Sequence, residues 1–197
     1  MKLSTQLASL FFLLLTSGPM PTAATKTKII NMCHFPIYAK TTMGGGYDSG
    51  DKKKIDSNGG TYEAPISPRK NSADGGLCVK LQHDEEGSFD GEIYQIEVSE
   101  TDGPMGMSSG TGDDKNKGGH IWYDMSTVNG KPWRERWRRL ELEGPRGCPV
   151  LECSPGSDDC EWPTPSSTGK MGDCKGGEEV TVLFTLCRGN GLIGINR

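Results

Sequence analysis

Val180-Thr181-Val182-Leu183-Phe184-Thr185-Leu186, followed at once by Cys187, is the most strand-like stretch of the chain. β-Branched and aromatic side chains fill it, and such residues favour the pleated, half-buried surface of a sheet. Working outward, the same character recurs in short pieces. They are Lys28-Ile29-Ile30-Asn31, Pro36 to Lys40, Leu77 to Gln82, Glu92 to Val98, His120 to Met125 and Arg138 to Leu142. Ile93, Gln95 and Glu97 alternate with Tyr94, Ile96 and Val98 at period two, the mark of a strand with one buried face. Thr61-Tyr62-Glu63 reads as a brief edge strand. Between these segments lie Gly44-Gly45-Gly46, the charged run Asp51-Lys52-Lys53-Lys54, Asn58-Gly59-Gly60 and the tight-turn pair Asn129-Gly130, all read as turn or loop. Residues 101 to 119 have no apolar periodicity and are expected to form a long loop. No window shows an amphipathic helix of useful length. Seven or eight short strands joined by Gly/Pro-rich connections predict an all-β sandwich.

The compartment is read from the other end. Lys2 precedes an apolar run from Leu7 to Leu15, Ser17, Gly18 and Pro21 break any helix, and Thr22-Ala23-Ala24 offers small residues for cleavage. Residues 1–24 are therefore expected to be a signal peptide, residues 25–190 one β-sandwich domain and residues 191–197 a short tail. The apolar run is too short to span a bilayer. The whole chain carries a formal net charge of −4, which argues against a general nucleic-acid binder and gives no pull toward anionic membranes. Neither nucleic-acid binding nor membrane insertion is expected.

Seven cysteines, Cys33, Cys78, Cys148, Cys153, Cys160, Cys174 and Cys187, lie beyond the expected cleavage site. In an oxidising compartment disulfides are their default state, and an odd number leaves one thiol over. Cys78, inside a strand pattern, is the candidate for that thiol, acting as a small hydrophobe. Six cysteines allow fifteen pairings, and the spacing alone leaves them open. Cys33 follows the first apolar strand and Cys187 ends the last. A bond between them would close a loop of about 155 residues and stabilise by on the order of 5 kcal/mol in the chain-entropy account. Cys148 to Cys174 sit in a stretch poor in apolar residues, where staples are needed most. The spacings lack the paired short hooks of a zinc ribbon, so neither metal nor other cofactor is expected.

Two segments carry a resemblance. Ile29-Ile30-Asn31-Met32-Cys33-His34-Phe35-Pro36-Ile37-Tyr38 resembles the opening of the Blastomyces yeast-phase-specific protein family, small secreted fungal proteins related to the thaumatin-like fold. The run Trp122-Tyr123-Asp124-Met125-Ser126-Thr127-Val128-Asn129-Gly130-Lys131-Pro132-Trp133 resembles that family's other marked segment. Cys148-Pro149 and Leu186-Cys187 fit further downstream positions. The resemblance implies a thaumatin-like antiparallel β-sandwich with disulfide-stapled loops, its ends tied by Cys33 and Cys187. It implies no activity. It does imply a secreted, cell-wall-associated or host-facing protein of a fungus; together with the signal segment, a cell-wall polysaccharide or a host extracellular protein is the expected partner.

For chemistry the sequence offers little. A glycosidase needs two carboxylates flanking the scissile bond, and Asp84, Glu85, Glu86, Asp90, Glu92 and Glu97 are available for a β-1,3-glucan hydrolase of the thaumatin-like kind. Yet Asp84-Glu85-Glu86 reads first as a solvated turn. No nucleophile elbow is present, and His34, His83 and His120 lie in unrelated settings. The unusual feature is Lys131-Pro132-Trp133-Arg134-Glu135-Arg136-Trp137-Arg138-Arg139. If extended, it would set Arg134, Arg136 and Arg138 on one face and Trp133 and Trp137 on the other. Trp133, Arg134, Arg136 and Trp137 are the candidate binding residues for an anionic or glycan partner. The competing reading buries the tryptophans in the core and pairs the arginines with acids. The expectation is a non-enzymatic protein that acts by binding.

Overall fold

The computed structural model of the 197-residue chain describes residues 25–44, 47–66, 76–89, 91–101, 119–162, 170–175 and 180–188. The expected signal peptide, the tail, most of the 101–119 loop and Asp90 lie outside the described residues.

Two sheets face each other. The smaller holds, in spatial order, β10 (Leu151–Cys153), β9 (Arg138–Glu143), β12 (Thr181–Leu186), β1 (Lys26–Asn31) and β5 (Gly60–Glu63). The larger runs β11 (Gly172–Lys175), β8 (His120–Ser126), β7 (Tyr94–Thr101), β6 (Leu77–Gln82), β2 (Ile37–Met43) and β3 (Tyr47–Asp48), with β4 (Lys53–Ile55) also on β2. Alternation decides which side chains meet between them. Leu77, Val79 and Leu81 of β6, Ile96 and Val98 of β7 and Met125 of β8 point inward, against Leu140 of β9 and Val182, Phe184 and Leu186 of β12. The outer face of the larger sheet carries the other parity, including Cys78, Glu97, Trp122 and Asp124.

Among the described strands the pairing is antiparallel except in one place. β1 and β12 run parallel, in register from Lys26↔Thr181 to Asn31↔Leu186. Parallel strands need a long connection rather than a hairpin, and these two are joined by most of the chain. Their final residues lie side by side, so the chain just beyond them brings Cys33 and Cys187 to a Cα–Cα distance of 5.1 Å, where they bond. Cys148 bonds Cys174 and Cys153 bonds Cys160, while Cys78 stays free.

Three local readings change. Lys53 and Lys54 belong to β4 rather than to a loop, because Ile55 is buried and draws its neighbours onto β2. The strand expected from Glu92 starts at Tyr94. Among the described residues twelve strands appear where seven or eight were expected, since β3, β4, β10 and β11 are two to four residues long, too short to display a period.

Candidate functional site

The ends of β1 and β12 meet where the Cys33–Cys187 bond sits, and buried polar groups fix the loops there. Asn31, fully buried, closes the turn after β1: its Oδ1 accepts from the Cys33 amide at 3.1 Å, and its Nδ2 donates to the Phe35 carbonyl at 2.8 Å and to that of Asp56 at 3.1 Å. An asparagine with this reach ties the turn to the β4–β5 connection and sets His34 and Phe35 in place.

Across the cleft, residues 131–137 form turns rather than an extended strand, which corrects the two-face reading of the Arg/Trp cluster. Arg138 explains why. Its side chain is fully buried, and its Nε donates to Glu161 Oε1 at 2.6 Å, the oxygen that also accepts from the Tyr94 hydroxyl at 2.5 Å. Nη1 donates to the carbonyls of Trp133 at 2.8 Å, Arg134 at 3.0 Å and Arg136, and Nη2 to that of Ser157. One planar guanidinium therefore curls the loop around itself, as only a fork of several donors can. Lys131 to Asp158 at 2.7 Å and the Gly156 amide to the Arg134 carbonyl at 2.9 Å fasten the neighbouring loop, which the Cys153–Cys160 bond closes.

These supports shape a cleft of about 550 Å³ floored by the Cys33–Cys187 bond. Arg136 lies over the Phe35 ring, 5.3 Å from its centroid, and Arg188 over Trp137 at 5.7 Å. The Trp137 indole donates to Glu152 Oε1 at 3.0 Å, which sets its plane. His34, Asn58 and Glu135 add polar edges, and Met32 and Pro155 add apolar ones. Of the four residues singled out from sequence, Arg136 and Trp137 line this cleft, and Arg134 is exposed on the same loop without lining it. Trp133 is 1% exposed and stacked on Phe35, with ring centroids 6.0 Å apart and 14° between planes. It supports the platform under Arg136 and is itself core. Arg188 and His34 escaped the sequence reading, although each neighbours a cysteine of the terminal bond and that bond had to bring them together.

The acidic candidates do not gather. Asp84, Glu85, Glu86 and Glu92 are exposed, and Glu85 is engaged by the Tyr38 hydroxyl at 3.1 Å. Glu97 does find a second carboxyl. It stands directly opposite Asp124 on β8, beside Cys78 and Trp122 in a smaller cleft of about 230 Å³ on the larger sheet's outer face. Burial, then the neighbouring Glu97 charge, pushes the Asp124 carboxyl up to about 8, and burial raises Glu97 as well. The two carboxyls lie within hydrogen-bonding reach, so a protonated Asp124 can donate to Glu97. Glycosidase carboxyls stand at least ~5 Å apart with the sugar between them, which this contact does not allow. Burial pushes the adjacent Cys78 thiol up to about 12, so it stays protonated. Among the described residues no group of three or more His, Cys, Asp or Glu side chains could hold a metal ion. No helix among them is long and apolar enough to cross a membrane.

Fold and disulfides define a two-sheet β-sandwich stapled by three disulfides, with a cationic, aromatic cleft at its covalently closed end. The chain belongs to the Blastomyces yeast-phase-specific protein family, whose profile matches residues 14–188. The protein elicitor MoHrip2 from Magnaporthe oryzae is similar in structure, with a TM-score of 0.60 and 21% identity over 84% of this chain and 100% of that one. The thaumatin-like xylanase inhibitor TLXI aligns more loosely, with a TM-score of 0.43 and 14% identity over 82% of this chain and 99% of that one. No curated protein sequence matches the chain. Three disulfides are consistent with an oxidising, extracellular setting.

Proposed function

We propose that this is a secreted, non-enzymatic, effector-like protein that acts by binding, at the producing cell's wall or on a host surface, through the cleft beside the Cys33–Cys187 bond. The observation that carries the reading is the pair of arginines stacked on aromatic rings along that cleft. A guanidinium on a ring keeps its N–H edge turned to solvent and loses less freedom on binding than a free side chain. Family membership and the likeness to a fungal protein elicitor support an outward-facing role. A cell-wall polysaccharide or a host extracellular protein is the partner expected.

Pull-down on insoluble glucan, chitin and mannan, with host extracellular proteins alongside, tests the reading. The Arg136→Ala/Trp137→Ala double variant should lose retention while its thermal unfolding stays within a few degrees of the parent's. Retention unchanged in the variant, or release of reducing ends from β-1,3-glucan by the parent, would overturn it.

A further inference from the structure

Taking the cleft as the binding face, we propose that its ligand is an oligosaccharide of uronic acids, in which carboxylates alternate with hydroxyl groups along a chain of rings. Three features of the cleft select this chemistry.

Arg136 and Arg188 are exposed, and among the described residues neither has a carboxylate within ion-pair distance. Of the other cations at this end, Lys131 is paired with Asp158, Arg138 with Glu161, and Arg139 with Glu141 and Glu152, while Arg134 lies outside the cleft lining. Two planar forks left open suit carboxylates, which they bind bidentately.

The polar edges are not all positive. Glu135 and Asn58 share the lining with the two arginines. A carboxylate and an amide match hydroxyl groups. A uronate chain supplies both kinds of partner, and its C–H faces suit the apolar edges of Met32, Pro155 and Trp137.

Several main-chain groups lining the cleft are already paired within the protein. The Asn58 amide donates to the Cys33 carbonyl at 2.8 Å, Met32 to Leu186 at 2.9 Å, Arg136 to Trp133 at 2.8 Å and Cys187 to Trp137 at 2.8 Å. An extended peptide added to a sheet edge draws its affinity from free main-chain groups, and these are already used. The cleft volume of about 550 Å³ lies within the ordinary range for small-ligand sites.

Calorimetric titration of the secreted, disulfide-intact protein with hexagalacturonate, laminarihexaose and hexaglutamate decides the matter. Hexagalacturonate should bind saturably, at least about tenfold tighter than either of the others, and more weakly as salt is raised. Arg136→Gln/Arg188→Gln should cost about tenfold or more, and lysine at both positions should restore less than half of the lost affinity. Glu135→Gln should tighten uronate binding, an effect that a merely structural role for this rim would not give. Equal affinity for laminarihexaose, tighter binding of hexaglutamate, or no binding of hexagalacturonate each overturns the proposal. If wall or host-protein retention still depends on Arg136 and Trp137 in those cases, the cleft remains the binding face and only the ligand class falls.

Discussion

Replacing Asp124 by asparagine removes one of two carboxyls that meet on the outer face of the larger sheet, and its effect should depend on pH in a set direction. The native carboxyl releases its proton at about 8, whereas in the unfolded chain an aspartate does so near 3.9. Between those values the folded state holds a proton that the unfolded state has lost. Stability therefore falls as pH rises through this window, by at most ~1.4 kcal/mol per pH unit for one proton, and levels off above the native value. From pH 5 to pH 7 the parent should lose on the order of 2 kcal/mol, about 4–8 °C in melting temperature for a domain of this size. The neighbouring Cys78 thiol titrates only at about 12 and adds no competing step in this window. Asparagine donates permanently to Glu97, so the Asp124→Asn profile should be nearly flat and should cross above the parent's by pH 8. The assay is thermal unfolding at pH 5, 6, 7 and 8, at one ionic strength and without reductant. Parallel profiles for parent and variant, or a parent that gains stability from pH 5 to 7, would refute the proton held on Asp124.

Other sites give sharper yes-or-no outcomes. A Cβ on Gly172 would collide with the Tyr123 ring across the β11–β8 pair, so Gly172→Ala should cost about 1–3 kcal/mol in urea unfolding. Arg138→Met strands the Glu161 carboxylate in the core and frees four carbonyls; a loss of about 3–5 kcal/mol is expected, with retention on wall material falling alongside. Changing Cys33 and Cys187 to alanine together opens a loop whose ends are 154 residues apart, which should lower stability by about 5 kcal/mol. Trp133→Ala should unfold early, by about 3–5 kcal/mol, unlike Trp137→Ala.

Period-two alternation made the central strands of both sheets readable, because Leu77 to Leu81 and Tyr94 to Val98 each present one apolar parity to a single core. Cys78 was readable as the free thiol for the same reason: it stands inside a strand, away from the loops that carry the staples. The parallel union of β1 and β12 left no local trace, since it joins segments that no turn connects. The Arg/Trp run misled in its conformation. An extended reading split it into two faces, whereas burial of Arg138 beneath three of its neighbours' carbonyls wound it into turns. Asp124 went unnoticed because register, not spacing, sets it opposite Glu97, and register across separate strands is a tertiary property.

Amide hydrogen exchange on the protein free and bound to isolated cell-wall material tests most directly whether the closed end of the sandwich is where it binds. Slowed exchange should cluster at His34, Phe35 and residues 135–137. Protection confined to the strands around Trp122 and Asp124, or no change on binding at all, would contradict the account.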